Sequence, residues 1–301
     1  MAEVTDQRYR ALLEARVFDP ESLRSALVGR ARRTVAGTDG NLLILAADHT
    51  ARGMLAAGGD PLAVADRRVL LNRLVAGLAM PGVDGVLASA DLLEELAWLG
   101  ALDDRLAIGT MNRGGVIGAR WELDDRMTAY DADHVAGLGL DGGKVLLRIE
   151  ETDPGVARTI ETVAAAVTRL ADRRLMCMVE PLPYLMTAAG RAVLDPSPER
   201  LIKAVAIASG LGASSAYTWL KVPGSDRMAE VAAATTMPIL MLGGDPGADS
   251  ESTFNRWRES MRQPNVRGLV AGRALLYPQQ GTPGGAIERA AAIVHPRGAD
   301  Q

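Results

Sequence analysis

The chain has 301 residues, 48% of them hydrophobic and 23% charged, a balance that suits a globular protein with a sizeable core. A net charge of −4 offers no basic field for nucleic acid or anionic lipid, and a single cysteine, Cys177, rules out an internal disulfide and fits a reducing compartment. No run is long and apolar enough to cross a bilayer, and the first residues, MAEVTDQRYR, lack a secretory-signal pattern, so a cytoplasmic protein without membrane contact is expected.

Two amphipathic stretches, DQRYRALLEARVF and DPESLRSALVGRARR, fill an N-terminal helical extension over residues 1–38. Eight short apolar runs come next: NLLILAAD (41–48), DGVLAS (84–89), LAIGTMN (106–112), KVLLRIE (144–150), LMCMVEP (175–181), YTWLKVP (217–223), PILMLGG (238–244) and RGLVAGR (267–273). They are near-continuously hydrophobic, as strands buried on both faces of a parallel sheet are. Between them lie helical patterns, several opened by Asp or Ser before Pro or an acidic first turn: 60–79, 90–101, 131–139, 153–173, 197–212, 225–236 and 249–263. Eight strands and seven helices, closed by GGAIERAAAIV, predict a single α/β domain over 1–301, a (β/α)8 TIM barrel with strands from about residue 41 to 273. An open doubly wound sheet is the alternative. The N-terminal extension either plugs the N-terminal mouth of the barrel or forms a subunit contact. The tail HPRGADQ reads as frayed.

Lys and Arg together number 33, yet only Lys144, Lys203 and Lys221 are lysines. Arginine matches lysine for charge but cannot lose a proton near neutral pH and attack a carbonyl, whereas a desolvated lysine can. Lys144 and Lys221 lie in apolar strand runs; Lys203, in a helical pattern, reads as a surface residue. In a TIM barrel the chemistry sits at the C-terminal ends of the strands. There the runs deliver Asp48-His49, Asn112-Arg113-Gly114-Gly115, Arg148-Ile149-Glu150, Glu180-Pro181, Lys221-Val222-Pro223, Gly243-Gly244-Asp245 and Gly272-Arg273. Lys221 is the best nucleophile, sharing a strand face with Trp219 and Tyr217. Glu180, on the neighbouring strand, is placed to shuttle a proton; its bland reading is a salt bridge, and that of Asp48 a loop cap. Lys144 supplies a second cation if its stem reaches up, although it lies several residues before its strand ends.

The glycine turns Gly243-Gly244 and Gly272-Arg273 occupy the loops where barrels commonly bind phosphate, with Arg273 adding a charged fork. Arg113, in MNRGGVIG, is a candidate for the far end of the substrate or a second anion. His49 follows Asp48 and lines the mouth at most; His134 and His295 carry no signal. Cys177, in LMCMVE, reads as a core thiol. No His, Cys, Asp or Glu grouping has metal-ligand spacing, so no cofactor and no metal are expected, only a covalent lysine imine.

Taken together, LAADHTARG, GGKVLLRI, MVEPLPY, TWLKVP and the glycine turns with AGR resemble the class I aldolase superfamily of archaeal-type fructose-bisphosphate and tagatose-bisphosphate aldolases, over nearly the whole barrel. Within it the chain looks most like actinobacterial deoxyribose-phosphate aldolase-like proteins linked to inositol catabolism. The resemblance implies Lys221 as Schiff-base lysine, Asp48 as first-strand acid, Glu180 in the proton-transfer place and Lys144 as the fourth-strand lysine of the tagatose type. Two departures stand out. KVPGSDR replaces the K-T-S-T-G-F-like run of deoxyribose-phosphate aldolases proper, and Arg148 stands where the bisphosphate enzymes tend to have Tyr, in a place for distal substrate contacts. The resemblance implies a lyase that cleaves a phosphorylated ketose-type sugar and releases dihydroxyacetone phosphate, working as a homo-oligomer. A non-catalytic phosphosugar-binding barrel and a thiolase-like acyltransferase acting through Lys221 or Cys177 are the alternatives.

Overall fold

The computed structural model describes residues 3–244 and 249–296. Eight strands pair side by side, all parallel, and close on themselves: β1 (Leu42–Ala46), β2 (Gly85–Ala88), β3 (Leu106–Thr110), β4 (Gly142–Ile149), β5 (Met176–Met186), β7 (Thr218–Val222), β8 (Ile239–Leu242) and β9 (Val266–Ala271), with β9 returning to β1. The short β6 (Ala192–Leu194) runs antiparallel to the far end of β5. The expected eight-stranded barrel is therefore observed, and the open sheet is excluded.

Alternation along each strand sorts the core into two layers. Leu42, Ile44, Ala46, Leu87, Leu106, Ile108, Met176, Met178, Leu240 and Val270 form an inner cluster, with Val35 and Trp219 against it. The opposite parity, including Leu43, Leu45, Val86, Ala107 and Val179, packs under the helices. On several strands the inward parity turns from apolar to polar at its C-terminal end. Leu42, Ile44 and Ala46 lead to Asp48, Leu106 and Ile108 to Thr110, and Met176 and Met178 to Glu180. The site grows out of the same periodicity that builds the core.

The helices are α1 (Asp6–Phe18), α2 (Pro20–Gly29), α3 (Arg67–Leu78), α4 (Ala90–Trp98), α5 (Ala132–Gly137), α6 (Val156–Asp172), α7 (Pro198–Ser209), α8 (Met228–Ala233), α9 (Ser250–Ser260), α10 (Arg273–Leu276) and α11 (Pro283–Val294). Helix α3 begins later than the pattern suggests, because the Asp66 carboxylate caps Val69 N and fixes the start there. Strand β5 outruns its predicted end despite Pro181 and Pro183. Both prolines lie beyond Val179, the last residue paired to β7, so the missing N–H groups leave no ladder bond unmade on that side.

In the N-terminal extension, α1 and α2 lie outside α3 and α4: Arg8 donates to the Leu99 carbonyl and Arg16 to Glu95 at 2.9 Å. The segment after α2 crosses the N-terminal mouth of the barrel. There Arg30 pairs with Asp141 at 2.7 Å, both side chains 2% exposed, Arg33 pairs with Asp84 at 2.7 Å, and Val35 rests on the inner cluster. Asp84 and Asp141 also accept the backbone N–H groups of Leu43 and Ala107, binding the extension to the first turns of the sheet. Of the tail read as frayed, residues 297–301 lie outside the described residues, as does Asp245 of the β8 loop.

Candidate active site

At the C-terminal end of the barrel, five predicted residues meet in one buried cluster. Glu180, from β5, sits between two amines: Lys221 Nζ lies 2.9 Å from one carboxylate oxygen, and Lys144 Nζ contacts the other. Lys144 also reaches Asp48 at 3.5 Å, and Asp48 forms an ion pair with Arg113, whose Nε donates to Thr110 Oγ1 at 2.8 Å. Lys221 and Lys144 are 4% and 1% exposed, so these are dry amines.

The height of Lys144 is explained by the sheet register. Lys144 pairs with Thr110, the last residue of β3, and with Met178, while Glu180 pairs with Leu146. The stagger of a closed barrel lifts the early part of β4 to the level where β3 ends. Trp219, two residues before Lys221, packs on the inner cluster beneath it, whereas Tyr217 lies below the start of β7.

Burial pushes the Lys221 amine below its ordinary range; Glu180 pulls it back up, and Arg113 and Arg52 push it further down. Lys144 is driven well down by burial too, against the pull of Glu180 and with help from Arg113 and Lys221. Burial would raise the Glu180 carboxyl, but the two lysines on its oxygens hold it well below the usual carboxylate range. Two carboxylates, Glu180 and Asp48, cannot fully compensate two buried ammonium groups and a guanidinium, and burial further disfavours the charged amines, so an amine in this cluster is ready to discharge.

Arg148 stands apart from the cluster. It is buried at the top of β4, donates to the Glu122 carbonyl and lies over the Tyr184 ring, 5.4 Å from its centroid. On the other side of the mouth, Gly272 is the cap of α10, and its carbonyl accepts Leu275 N and Leu276 N. A Cβ at Gly272 would meet the Ala46 carbonyl oxygen at 2.1 Å, so only glycine fits. Gly243 packs on Ala271, Gly244 has φ +67°, and Arg273 Nη1 donates to the Ala56 carbonyl at 3.1 Å. Lys203 is exposed and pairs with Glu151, as a surface lysine does. Cys177 is buried in the layer under the helices, its thiol pushed up to about 12 by burial, which disfavours the thiolate. Among the described residues no group of three or more His, Cys, Asp or Glu could hold a metal ion. Among them, too, no helix is long and apolar enough to cross a membrane.

Sequence reasoning gave no role to the residues that carry the cluster's frame. Arg52, 3% exposed in the turn after β1, donates to the carbonyls of Gly115 at 2.6 Å and Asn112 at 3.2 Å and pairs with buried Asp125. Asn112 bridges β3 to β4 through Leu146, donating to its carbonyl at 2.6 Å and accepting its N–H at 2.7 Å. In a chain with so many arginines, nothing in the sequence separates a buried one from its surface neighbours.

Solved structures with the same fold include an archaeal fructose-1,6-bisphosphate aldolase whose catalytic lysine is covalently bound to the carbinolamine intermediate, 20% identical with TM-score 0.64 over 90% of this chain and 99% of that one. The fructose-bisphosphate aldolase of Slackia heliotrinireducens is 14% identical with TM-score 0.63 over 95% and 93% of the two chains. At such identities the likeness is one of fold. No functionally curated protein matches the chain. Much nearer is the crystal structure of Cgl0159 from Corynebacterium glutamicum, 43% identical with TM-score 0.94 over 97% of this chain and 98% of that one. The Cgl0159-like family model matches residues 40–291, from the start of the first strand into the last helix, and the chain belongs to the Cgl0159-like family.

Proposed function

We propose that this protein is a class I aldolase that makes or breaks a C–C bond in a phosphorylated ketose-type sugar, with dihydroxyacetone phosphate as one fragment. The observation that carries the reading is a dry lysine amine, Lys221, held 2.9 Å from a buried carboxylate that a second lysine shares. The amine adds to the ketone and loses water to give an iminium. The iminium accepts the electron pair of the breaking C–C bond as Glu180 takes the hydroxyl proton of the departing aldehyde. Lys144, Asp48 and Arg113 hold Glu180 and the local charge in place. The turns at Gly243-Gly244 and Gly272-Arg273 receive the phosphate, and Arg148 faces the distal part of the substrate. The tagatose-type likeness of Lys144 and Glu180 supports the same assignment, as does the carbinolamine on the catalytic lysine of the archaeal neighbour.

The test is reductive trapping. Borohydride added with dihydroxyacetone phosphate, or with a panel of phosphorylated ketoses, leaves an adduct on Lys221 detectable by peptide mass. Lys221→Met abolishes both adduct and turnover while keeping the circular dichroism of the barrel. Turnover by that variant at the wild-type rate removes the reading.

A further inference from the structure

The polar groups of the cluster are nearly all spoken for. Each oxygen of Glu180 is held by a lysine, and Asp48 is held by Arg113 and Lys144. Arginine does not release its proton, and Tyr184 is raised above its ordinary range by burial and lies under Arg148. Forming an iminium from a carbinolamine nevertheless requires a proton for the departing hydroxyl.

His49 is the exception in the cluster. It directly follows Asp48, and its carbonyl accepts Arg52 N at 3.0 Å and Met54 N at 3.2 Å, which fixes the backbone beneath the ring. The imidazole is half-buried, and neither ring nitrogen makes a hydrogen bond to another described residue. Its position is set by the turn opposite: a Cβ built on Gly272 would lie 2.7 Å from His49 Cε1. The ring therefore lies where β1 meets the glycine turn that carries Arg273.

We propose that His49 is a catalytic residue of this site, giving a proton to the departing carbinolamine hydroxyl and taking one from water when the imine is hydrolysed. The proposal rests on the lysine-imine reading of Lys221. In the forward step the imidazolium N–H protonates the hydroxyl, the C–O bond breaks, the lone pair of the Lys221 nitrogen closes the C=N bond and water leaves. The positive charge passes from ring to iminium. Hydrolysis runs the same transfers backwards.

The groups around the ring explain how it is charged when needed. In the ligand-free site, burial and the positive charges of Lys221 from β7, Arg273 from α10 and Lys144 from β4 outweigh Glu180 from β5 and hold the imidazole down to about 3. A phosphate dianion on the Gly272-Arg273 turn offsets those cations beside the ring and shifts the imidazole toward its protonated form. The proton donor is then armed by the substrate itself.

Rapid-quench trapping tests this with dihydroxyacetone phosphate as the probe, comparing wild type, His49→Gln and His49→Ala. Borohydride reduces the iminium and leaves the carbinolamine, so its capture reports the dehydration step. General acid–base groups contribute on the order of 100-fold or more, and a loss of that size in the rate of reducible adduct is expected for both variants. Added imidazole should restore the alanine variant in part, and thermal melts should match wild type. Absence of any adduct on wild-type Lys221 overturns the imine reading and this proposal together. Trapping of His49→Gln at the wild-type rate overturns the role of His49 and leaves the imine reading standing. Slow trapping that imidazole does not rescue assigns His49 a positioning role and likewise overturns the proposal.

Discussion

At the scale of single residues, Glu180 governs two quantities that can be separated. Its charge raises both lysines, opposing the burial that lowers them. Glu180→Gln keeps the shape and removes the charge, so the neutral fraction of Lys221 at a given pH increases. Borohydride capture of dihydroxyacetone phosphate should then persist to lower pH than in wild type. If Glu180 has the role proposed above, turnover should fall by ~100-fold or more with the loss of the proton acceptor. Profiles of capture and kcat against pH check both halves, and a variant that turns over within a few-fold of wild type would count against Glu180. In wild type, capture should weaken as pH falls through the depressed range of Lys221, where the ammonium takes over. Lys221 and Glu180 were legible in the sequence because a lysine and a carboxylate ending apolar strands are costly to keep there. His49 and Arg52 were not. The partners that give them meaning, Gly272 for one and Asp125 for the other, lie far away along the chain.

At the scale of elements, the loop after β3 is held from beneath by side chains of neighbouring strands and turns. Arg52 grips it at Asn112, Gly115 and Asp125, and Arg148 at Glu122. Removing one partner of a buried ion pair leaves the other charge uncompensated, which costs about 3–5 kcal/mol. Arg52→Ala should lower the urea midpoint by a corresponding amount and expose residues 113–127 to limited proteolysis. An unchanged midpoint and cleavage pattern would show that the loop is held by other means. The eight barrel strands were readable from their continuous hydrophobicity. The β5–β6 hairpin was not, since Pro181 and Pro183 read as a strand end until the register shows which side of β5 is unpaired.

At the scale of the molecule, distant segments converge beneath the barrel. His295, just after α11, contacts Asp39 at 2.6 Å and Asp84 at 3.0 Å, while Asn41 donates to the Val294 carbonyl at 2.9 Å. Hydrogen bonding to Asp84, opposed by burial and joined by Asp39, raises His295 to about 9. The imidazolium is thus favoured in the folded state. Its stabilisation is complete below the ordinary histidine range near 6.5 and drains away as pH climbs through about 9. Thermal melts of wild type should decline over that interval, and His295→Ala should flatten the decline. An identical slope in the variant would dismiss the contribution.

The position of that histidine also says where an alkaline barrel first comes undone. The His295 contacts tie the segment before β1, at Asp39, to the entry of β2, at Asp84, whose carboxylate also accepts the Leu43 N–H of β1. Once the imidazole is neutral, the join of β1 and β2 loses its clasp while the pairing of β4 with β5 keeps its full length. Deuterium uptake at high pH should therefore appear at the amides of Leu43 and Asp84, which bond to each other's residues, before it reaches those of Val145 and Val179.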